Sequence, residues 1–392
     1  MTKSMDNALL PAGLRDVLPP DASFEADIVG RLVALFTRHG YERVKPPLLE
    51  FEESFLSGSG TGLGGQTFRL MDPDSHRMMA LRPDMTLQVA RIAATRLKNR
   101  PRPLRLSYAG QVLRVKGTQL RPERQFGQIG AELIGADSGA ADAEIVLMGI
   151  EALSDVGVRG LSVDLGIPTL IPALLAGRSI EAKALSRLRM ALDRKDAAGV
   201  AALGDVLDPK LITLLGALLA AVGPAERTLK ALEALDLPPA AAAQRSTLAE
   251  VVRRVADGLA QLGGEAVQLT VDPVENRGFE YHTGVTFTFF AGAVRGELGS
   301  GGRYRAGNGA ADPATGLTLF TDTLLAALPR PAAERRLYLP LAVPAAERRN
   351  LRREGWITLA ALTADSDPIA AARASGCTHL WRDGQIVPVD KI

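Results

Sequence analysis

A glutamine and a glutamate flanking a glycine form the part of this chain best suited to hold a polar ligand. In the stretch from Gln125 to Gly135, strand alternation puts Phe126, Gln128, Gly130, Glu132 and Ile134 on one face and Gln125, Gly127, Ile129, Ala131 and Leu133 on the other. Tyr108 to Val115 repeats the theme: Tyr108, Gly110, Val112 and Arg114 share a side, which pairs small residues with polar arms. The two segments read as strands sharing a ligand floor. Upstream, Arg82-Pro83-Asp84 leads into a helical pattern of Leu87, Ala90, Ala94 and Leu97. Two readings of Asp84 stand, a helix N-cap or a ligand-binding carboxylate. Downstream, in Arg277-Gly278-Phe279-Glu280-Tyr281-His282-Thr283-Gly284, a glycine inside a strand beside His282 marks either the wall of a site or a barrel-like bend.

The elements that must position these residues follow from periodicity. A helix carries Phe24, Ile28, Leu32, Leu35 and Phe36 and closes at Gly40; a short strand follows within 41–49; Ser57 to Gly65 is a loop; and a hairpin turns at Asp72-Pro73-Asp74. Strands at 104–116 and 125–135 are joined by a basic connector, followed by a helix at 140–153 and a strand at 161–165. Residues 173–262 change to Ala/Leu-rich amphipathic helices suited to packing. A strand with Val267, Leu269 and Val271 precedes the His282 stretch. Gly299-Ser300-Gly301-Gly302-Arg303-Tyr304 could cradle a phosphate only weakly, since it lacks the spacing and lysine of a P-loop, and 316–328 reads as a last helix. After a Pro-rich linker, 335–392 alternates strand and helix as a small α/β module.

With 392 residues, 46% hydrophobic and 23% charged, the chain has material for two or three domains, and a net charge of +2 gives no global argument for nucleic acid or an anionic membrane. The lone Cys377 excludes an intrachain disulfide framework and fits a reducing compartment; with only His379 beside it, no metal site is expected. No signal peptide or membrane span is visible, so a cytoplasmic location is expected.

Taken together, Arg82-Pro83-Asp84-Met85-Thr86, the stretch from Arg114 to Glu132, Arg277 to Gly284 and Gly301-Gly302-Arg303-Tyr304 resemble the core of histidyl-tRNA synthetases over roughly residues 10 to 328. The resemblance implies an α+β fold with a class II aminoacyl-tRNA synthetase-like core, an antiparallel sheet flanked by helices. That core would occupy 1–172 and 263–330, with a helical insertion at 173–262 and a small C-terminal α/β domain at 335–392. It also implies a histidine pocket. Asp84 and Thr86 would hold the ammonium, Gln128 the α-amino or carboxylate end, Glu132 the imidazole, and Tyr281 and His282 the side-chain walls, while Arg114 and Arg277 would serve carboxylate or phosphate groups.

Three positions depart from the synthetases. Lys116 stands where they carry an acid, Pro122 where they carry an arginine, and Thr323 where the last helix of the core braces the ATP phosphates with an arginine. A neutral hydroxyl cannot replace that charge. The tail is also shorter than their anticodon-binding domain. The pattern therefore resembles the family of ATP phosphoribosyltransferase regulatory subunits. It implies a noncatalytic, allosteric subunit without cofactor that joins a short-form catalytic subunit in a hetero-oligomer at the first step of histidine biosynthesis. L-Histidine would be the effector, self-association is expected, and tRNA and membrane are not. A working synthetase and a freestanding histidine-binding protein stay open as alternatives.

Overall fold

A computed structural model describes residues 9–56, 64–117, 121–263, 265–275, 281–307, 311–330 and 334–391. Arg277 and the rest of 276–280, most of the Ser57 to Gly65 loop and the middle of the basic connector lie outside the described residues. The chain divides into two compact units, Met1–Pro329 and Arg330–Ile392.

In the larger unit, the apolar spacing from Phe24 to Phe36 becomes α1 (Asp21–Arg38), which buries Ile28, Leu32, Leu35 and Phe36 and ends before Gly40, whose φ of +83° reverses the chain. The short strand expected to end at Pro46-Pro47 is β1 (Glu42–Arg43), and a further strand, β2 (Leu49–Phe51), follows the prolines. Following α2 (Glu52–Leu56), the hairpin strands β3 (Arg69–Met71) and β4 (Met78–Leu81) pair antiparallel, and β4 also pairs with β2. The helix α3 (Thr86–Thr95) then leads to β5 (Leu104–Leu113) and β6 (Gln125–Ile134), which pair antiparallel along their full length from Leu104↔Ile134 to Leu113↔Gln125.

Next come α4 (Gly139–Val156) and β7 (Leu161–Gly166). Residues 170–262 hold α5 (Leu170–Leu175), α6 (Ala182–Asp193), α7 (Ala197–Ala201), α8 (Pro209–Ala221), the two-residue β8 (Gly223–Pro224), α9 (Ala225–Glu233) and α10 (Pro239–Leu262). Leu188, Leu215, Leu232 and Leu248 from these helices share one apolar core with α1 and α4. The chain returns through β9 (Gln268–Asp272), β10 (His282–Ala291), β11 (Gly299–Ala306), β12 (Asp312–Phe320) and α11 (Thr321–Ala327).

Nine of these strands form one sheet in the order β1-β5-β6-β12-β11-β10-β7-β9-β8, antiparallel except for β1 with β5 and β7 with β9, and β2-β4-β3 form a second. One expectation needs correction. Residues 316–320 are strand, not helix: β12 lies between β6 and β11 with both faces buried, so its apolar run shows no alternation to distinguish it from a helix. The glycines from Gly299 to Gly302 form no phosphate loop. They lie in β11, where a Cβ on Gly301 would come within 2.1 Å of the Gly316 carbonyl oxygen.

The smaller unit carries β13 (Arg336–Leu339), α12 (Ala345–Arg353), β14 (Ile357–Ala360), α13 (Pro368–Ala374), β15 (His379–Arg382) and β16 (Gln385–Pro388), with sheet order β14-β13-β15-β16. Among the described residues, no helix is long and apolar enough to cross a membrane.

Candidate functional site

The even face of β6 is the floor of the site, and each residue on it meets a group from a different element. Gln128 is fully buried: its Oε1 accepts from the Met85 amide at 2.9 Å, and its Nε2 donates to Asp84 Oδ2 at 2.6 Å. Asp84 Oδ1 accepts from the Thr86 amide at 2.8 Å. The N-cap reading of Asp84 does not hold, since Met85 occupies the N-cap of α3 without a side-chain cap; Asp84 sits one residue earlier, with one oxygen on the Thr86 amide and the other facing the floor.

Two turns of the pleat further along, Glu132 is 1% exposed. Its Oε1 accepts from the Tyr108 hydroxyl at 3.1 Å and its Oε2 from the Tyr304 hydroxyl at 2.9 Å. The Tyr108 hydroxyl also lies 3.1 Å from Thr86 Oγ1 and 2.8 Å from Thr318 Oγ1. Two glycines make this convergence possible. A Cβ on Gly130 would lie 2.3 Å from the Tyr108 hydroxyl, and one on Gly316, directly across from Glu132, would lie 1.8 Å from Glu132 Oε2. Tyr281 stacks on Tyr304 with ring centroids 5.1 Å apart, and its hydroxyl is buried with no hydrogen-bond partner among the described residues.

Electrostatically the site is unusual, because no lysine or arginine among the described residues pairs with Glu132. Burial raises its pKa to about 8; the Tyr304 hydrogen bond opposes this, the charge of Asp84 adds to it, and the hydrogen bonds from Tyr108 and Thr86 oppose it again. Tyr108, Tyr281 and Tyr304 are pushed well above the ordinary phenol range, first by burial and then by the Glu132 charge. A cluster of this kind, two carboxyls edged by hydroxyls, suits a ligand that brings positive charge and N–H donors.

The same face continues at its other end into a cleft of about 220 Å³ lined by Arg114, Lys116, Arg121, Phe126, Glu297 and Thr323. Arg114 donates to the Pro83 carbonyl at 3.3 Å and lies 5.1 Å over the Phe126 ring, and partial burial lowers its pKa. Arg121 sits over Phe126 and Phe320, at 5.0 and 3.8 Å, and pairs with Asp322 at 2.8 Å and Glu297 at 4.0 Å. Thus the structure gathers Asp84, Thr86, Gln128, Glu132 and Tyr281 around one floor, and places Arg114 in the adjoining cleft.

His282 stands at the margin. Its ring meets the Tyr281 ring edge-on at 4.9 Å, Nδ1 lies 3.3 Å from the Arg303 carbonyl oxygen, and burial drops its pKa to about 4, so the ring is neutral. Gly284 answers a different demand from the one suggested by its neighbour: a Cβ there would come within 2.8 Å of Arg303 Cδ. Arg303 in turn is held by Asp137, Asp142 and the Ser138 carbonyl on the α4 side. Sequence reasoning missed Tyr304 and Thr318 as neighbours of Glu132. Their signal was the register of β11 and β12, which no local pattern reveals. Elsewhere, Asp164, Asp272 and Glu275 have metal-ligand spacing among the described residues, but the Lys195 ammonium already pairs with Asp272.

Comparison with known proteins bears on the fold and the family. The family model described as histidyl-tRNA synthetase matches residues 13–324. Over its full length the chain is 58% identical to an ATP phosphoribosyltransferase regulatory subunit of Paramagnetospirillum magneticum, covering 100% of both chains. It is 57% identical to one of Rhodospirillum centenum, covering 97% of this chain and 96% of the relative. Among solved structures, an ATP phosphoribosyltransferase regulatory subunit/histidyl-tRNA synthetase from Bacillus halodurans superposes with a TM-score of 0.79 at 26% identity, covering 94% of this chain and 96% of the other. A class II synthetase-like sheet, a matching family model and full-length relatives converge: the chain belongs to the histidyl-tRNA synthetase-like family of ATP phosphoribosyltransferase regulatory subunits.

Proposed function

We propose that this chain is the noncatalytic partner of a short-form catalytic ATP phosphoribosyltransferase subunit in the first step of histidine biosynthesis, and that the Glu132 pocket binds L-histidine as the feedback effector. The observation that carries the ligand is the buried Glu132 carboxyl, met by tyrosine hydroxyls and by no cation among the described residues. An imidazole ring supplies what that cluster lacks, with Glu132 and the unpartnered Tyr281 hydroxyl as its two contacts. Asp84, Thr86 and Gln128 lie at the ammonium end, His282 closes the margin, and Arg114 and Arg277 would serve the carboxylate. Regulation then requires only that histidine prefer one state of the complex, since a ligand shifts an equilibrium by its differential affinity and no further.

The noncatalytic reading is supported at the cleft. Thr323 contributes a hydroxyl where the resembling synthetases carry an arginine, and Arg121 is already paired with Asp322. The test is to mix the purified chain with a short-form catalytic subunit, with and without histidine. The expected result is no transferase activity from the chain alone, a rise on mixing, and inhibition by histidine that Glu132→Ala relieves. No complex on a sizing column overturns the partner; full inhibition of the Glu132→Ala complex overturns the pocket as the effector site.

A further inference from the structure

The row of paired residues that crosses the pocket face does not stop at Glu132. Glu132 lies opposite Gly316, Gly316 opposite Gly302, and Gly302 opposite Thr286. Thr286 then lies opposite Gly166, and Gly166 opposite Asp272, so one transverse line runs from β6 to β9 on a single face of the sheet. Its far end is acidic. Asp164, Asp272 and Glu275 each bring a carboxylate oxygen within 4.8 Å of the others, and a Cβ on Gly166 would come within 2.9 Å of Glu275 Cβ, so Glu275 lies over the row. Asp272 also shapes the turn after β9: its Oδ1 accepts from the Val274 amide at 3.0 Å and its carbonyl from the Glu275 amide at 3.4 Å. Three carboxylates at this spacing repel one another.

The helical insertion supplies a charge that offsets them. Lys195 follows α6, and its ammonium pairs with Asp272, whose side chain is 7% exposed. The backbone there is costly. The Lys195 amide donates to the Leu192 carbonyl at 3.1 Å and the Asp196 amide to the Ala191 carbonyl at 2.8 Å. These two bonds close a helix end whose left-handed residue is normally glycine, yet here it is Lys195, at φ +55°. A long side chain kept in that conformation points to a use for its ammonium. At the other side of the row, the pairing of β10 with β11 shifts between His282 and Thr286, so the ladder alone does not lock the first residues of β10 in place. We propose that Lys195 is a positioning residue of the histidine pocket. By holding the acidic cluster against Gly166, and through it Thr286, it fixes the start of β10 and with it Tyr281 and His282. This rests on the histidine reading above. It gives the insertion a part in ligand affinity without any contact to the ligand.

The test is calorimetric titration of L-histidine into the full chain as wild type, Lys195→Gly and Lys195→Arg, at a temperature where each is folded. Lys195→Gly removes the ammonium and suits the left-handed turn, and its affinity should be about 3- to 10-fold weaker. Lys195→Arg keeps the charge and should come within about twofold of wild type. The proton NMR signal of the His282 ring supplies a readout that needs no ligand. That ring lies edge-on to Tyr281, so its resonance reports small movements of the wall; with four histidines in the chain, its loss in His282→Gln assigns it. Lys195→Gly should shift this signal and Lys195→Arg should leave it in place. Wild-type affinity and an unmoved His282 signal in Lys195→Gly, whatever its unfolding midpoint, overturn the proposal and leave histidine recognition standing. Absence of histidine binding by the wild type overturns the histidine reading, and the His282 signal still decides whether Lys195 holds the wall.

Discussion

The two ends of the even face of β6 treat charge in opposite ways. At the Phe126 end one cation is provided for within the chain: Arg121 lies over two aromatic rings and pairs with Asp322, both side chains about one-tenth exposed. At the Glu132 end the charge is left to be completed, a buried acid among hydroxyls with no cation from the described residues. One strand therefore floors both a cleft whose Arg121 already has its acid and a pocket whose acid has no such partner among the described residues. The lesson is that side-chain identity alone does not mark a binding site; what matters is whether the charge already has a partner.

The largest expected effect comes from filling the space that keeps the pocket in shape. Gly316→Ala places a methyl where Glu132 Oε2 lies, and since Gly316 is in a central strand the sheet cannot give way easily. It should cost about 3 kcal/mol in urea unfolding and abolish histidine binding by calorimetry. A variant with near-normal stability and affinity would show that Glu132 can sit elsewhere. Arg121→Ala tests the other end. It leaves Asp322 buried without its partner and should cost about 3 kcal/mol, yet change histidine affinity less than about twofold. A large loss of affinity in Arg121→Ala would merge the two ends into one site and break the contrast drawn between them.

The pH dependence of stability sharpens the same contrast at moderate size. The Glu132 pKa rises from 4.5 in the unfolded chain to about 8 on folding, so the native state binds more protons between those values. Its contribution is fully present below about pH 4.5 and is lost as pH climbs through about 8. Relative to Glu132→Gln, the wild type should therefore fall by several degrees in Tm across that window. The neutral His282, whose pKa drops to about 4, acts in the opposite sense below its ordinary value of 6.5 and cancels in the comparison. Parallel Tm curves for the two proteins would mean that Glu132 is ionised throughout.

Much of this site was legible because strand alternation is local. Gln128, Gly130 and Glu132 could be placed on one face from their spacing, and Asp84 at a helix start from the periodicity after it. Tyr304 and Thr318 could not be placed, since both reach Glu132 through pairings between strands far apart in the chain. The same limit explains the misreading of 316–320: a strand buried on both faces carries no period. Motif resemblance recovered the family where local physics could not, and the register then supplied the missing hydroxyls.

The smallest expected effect isolates a single oxygen. Tyr281→Phe keeps the ring stacked on Tyr304 and removes a hydroxyl that has no hydrogen-bond partner among the described residues. Deleting an unsatisfied buried hydroxyl should leave unfolding free energy unchanged within about 0.5 kcal/mol or raise it slightly, because nothing is broken and a desolvated dipole is removed. If that oxygen is the second contact of the bound ring, histidine affinity falls by about 3- to 10-fold in the same protein. Loss of affinity without loss of stability separates a ligand contact from a packing residue. Unchanged affinity would leave Glu132 as the sole polar contact to the ring, and with it a pocket that could accept a singly donating base as readily as imidazole.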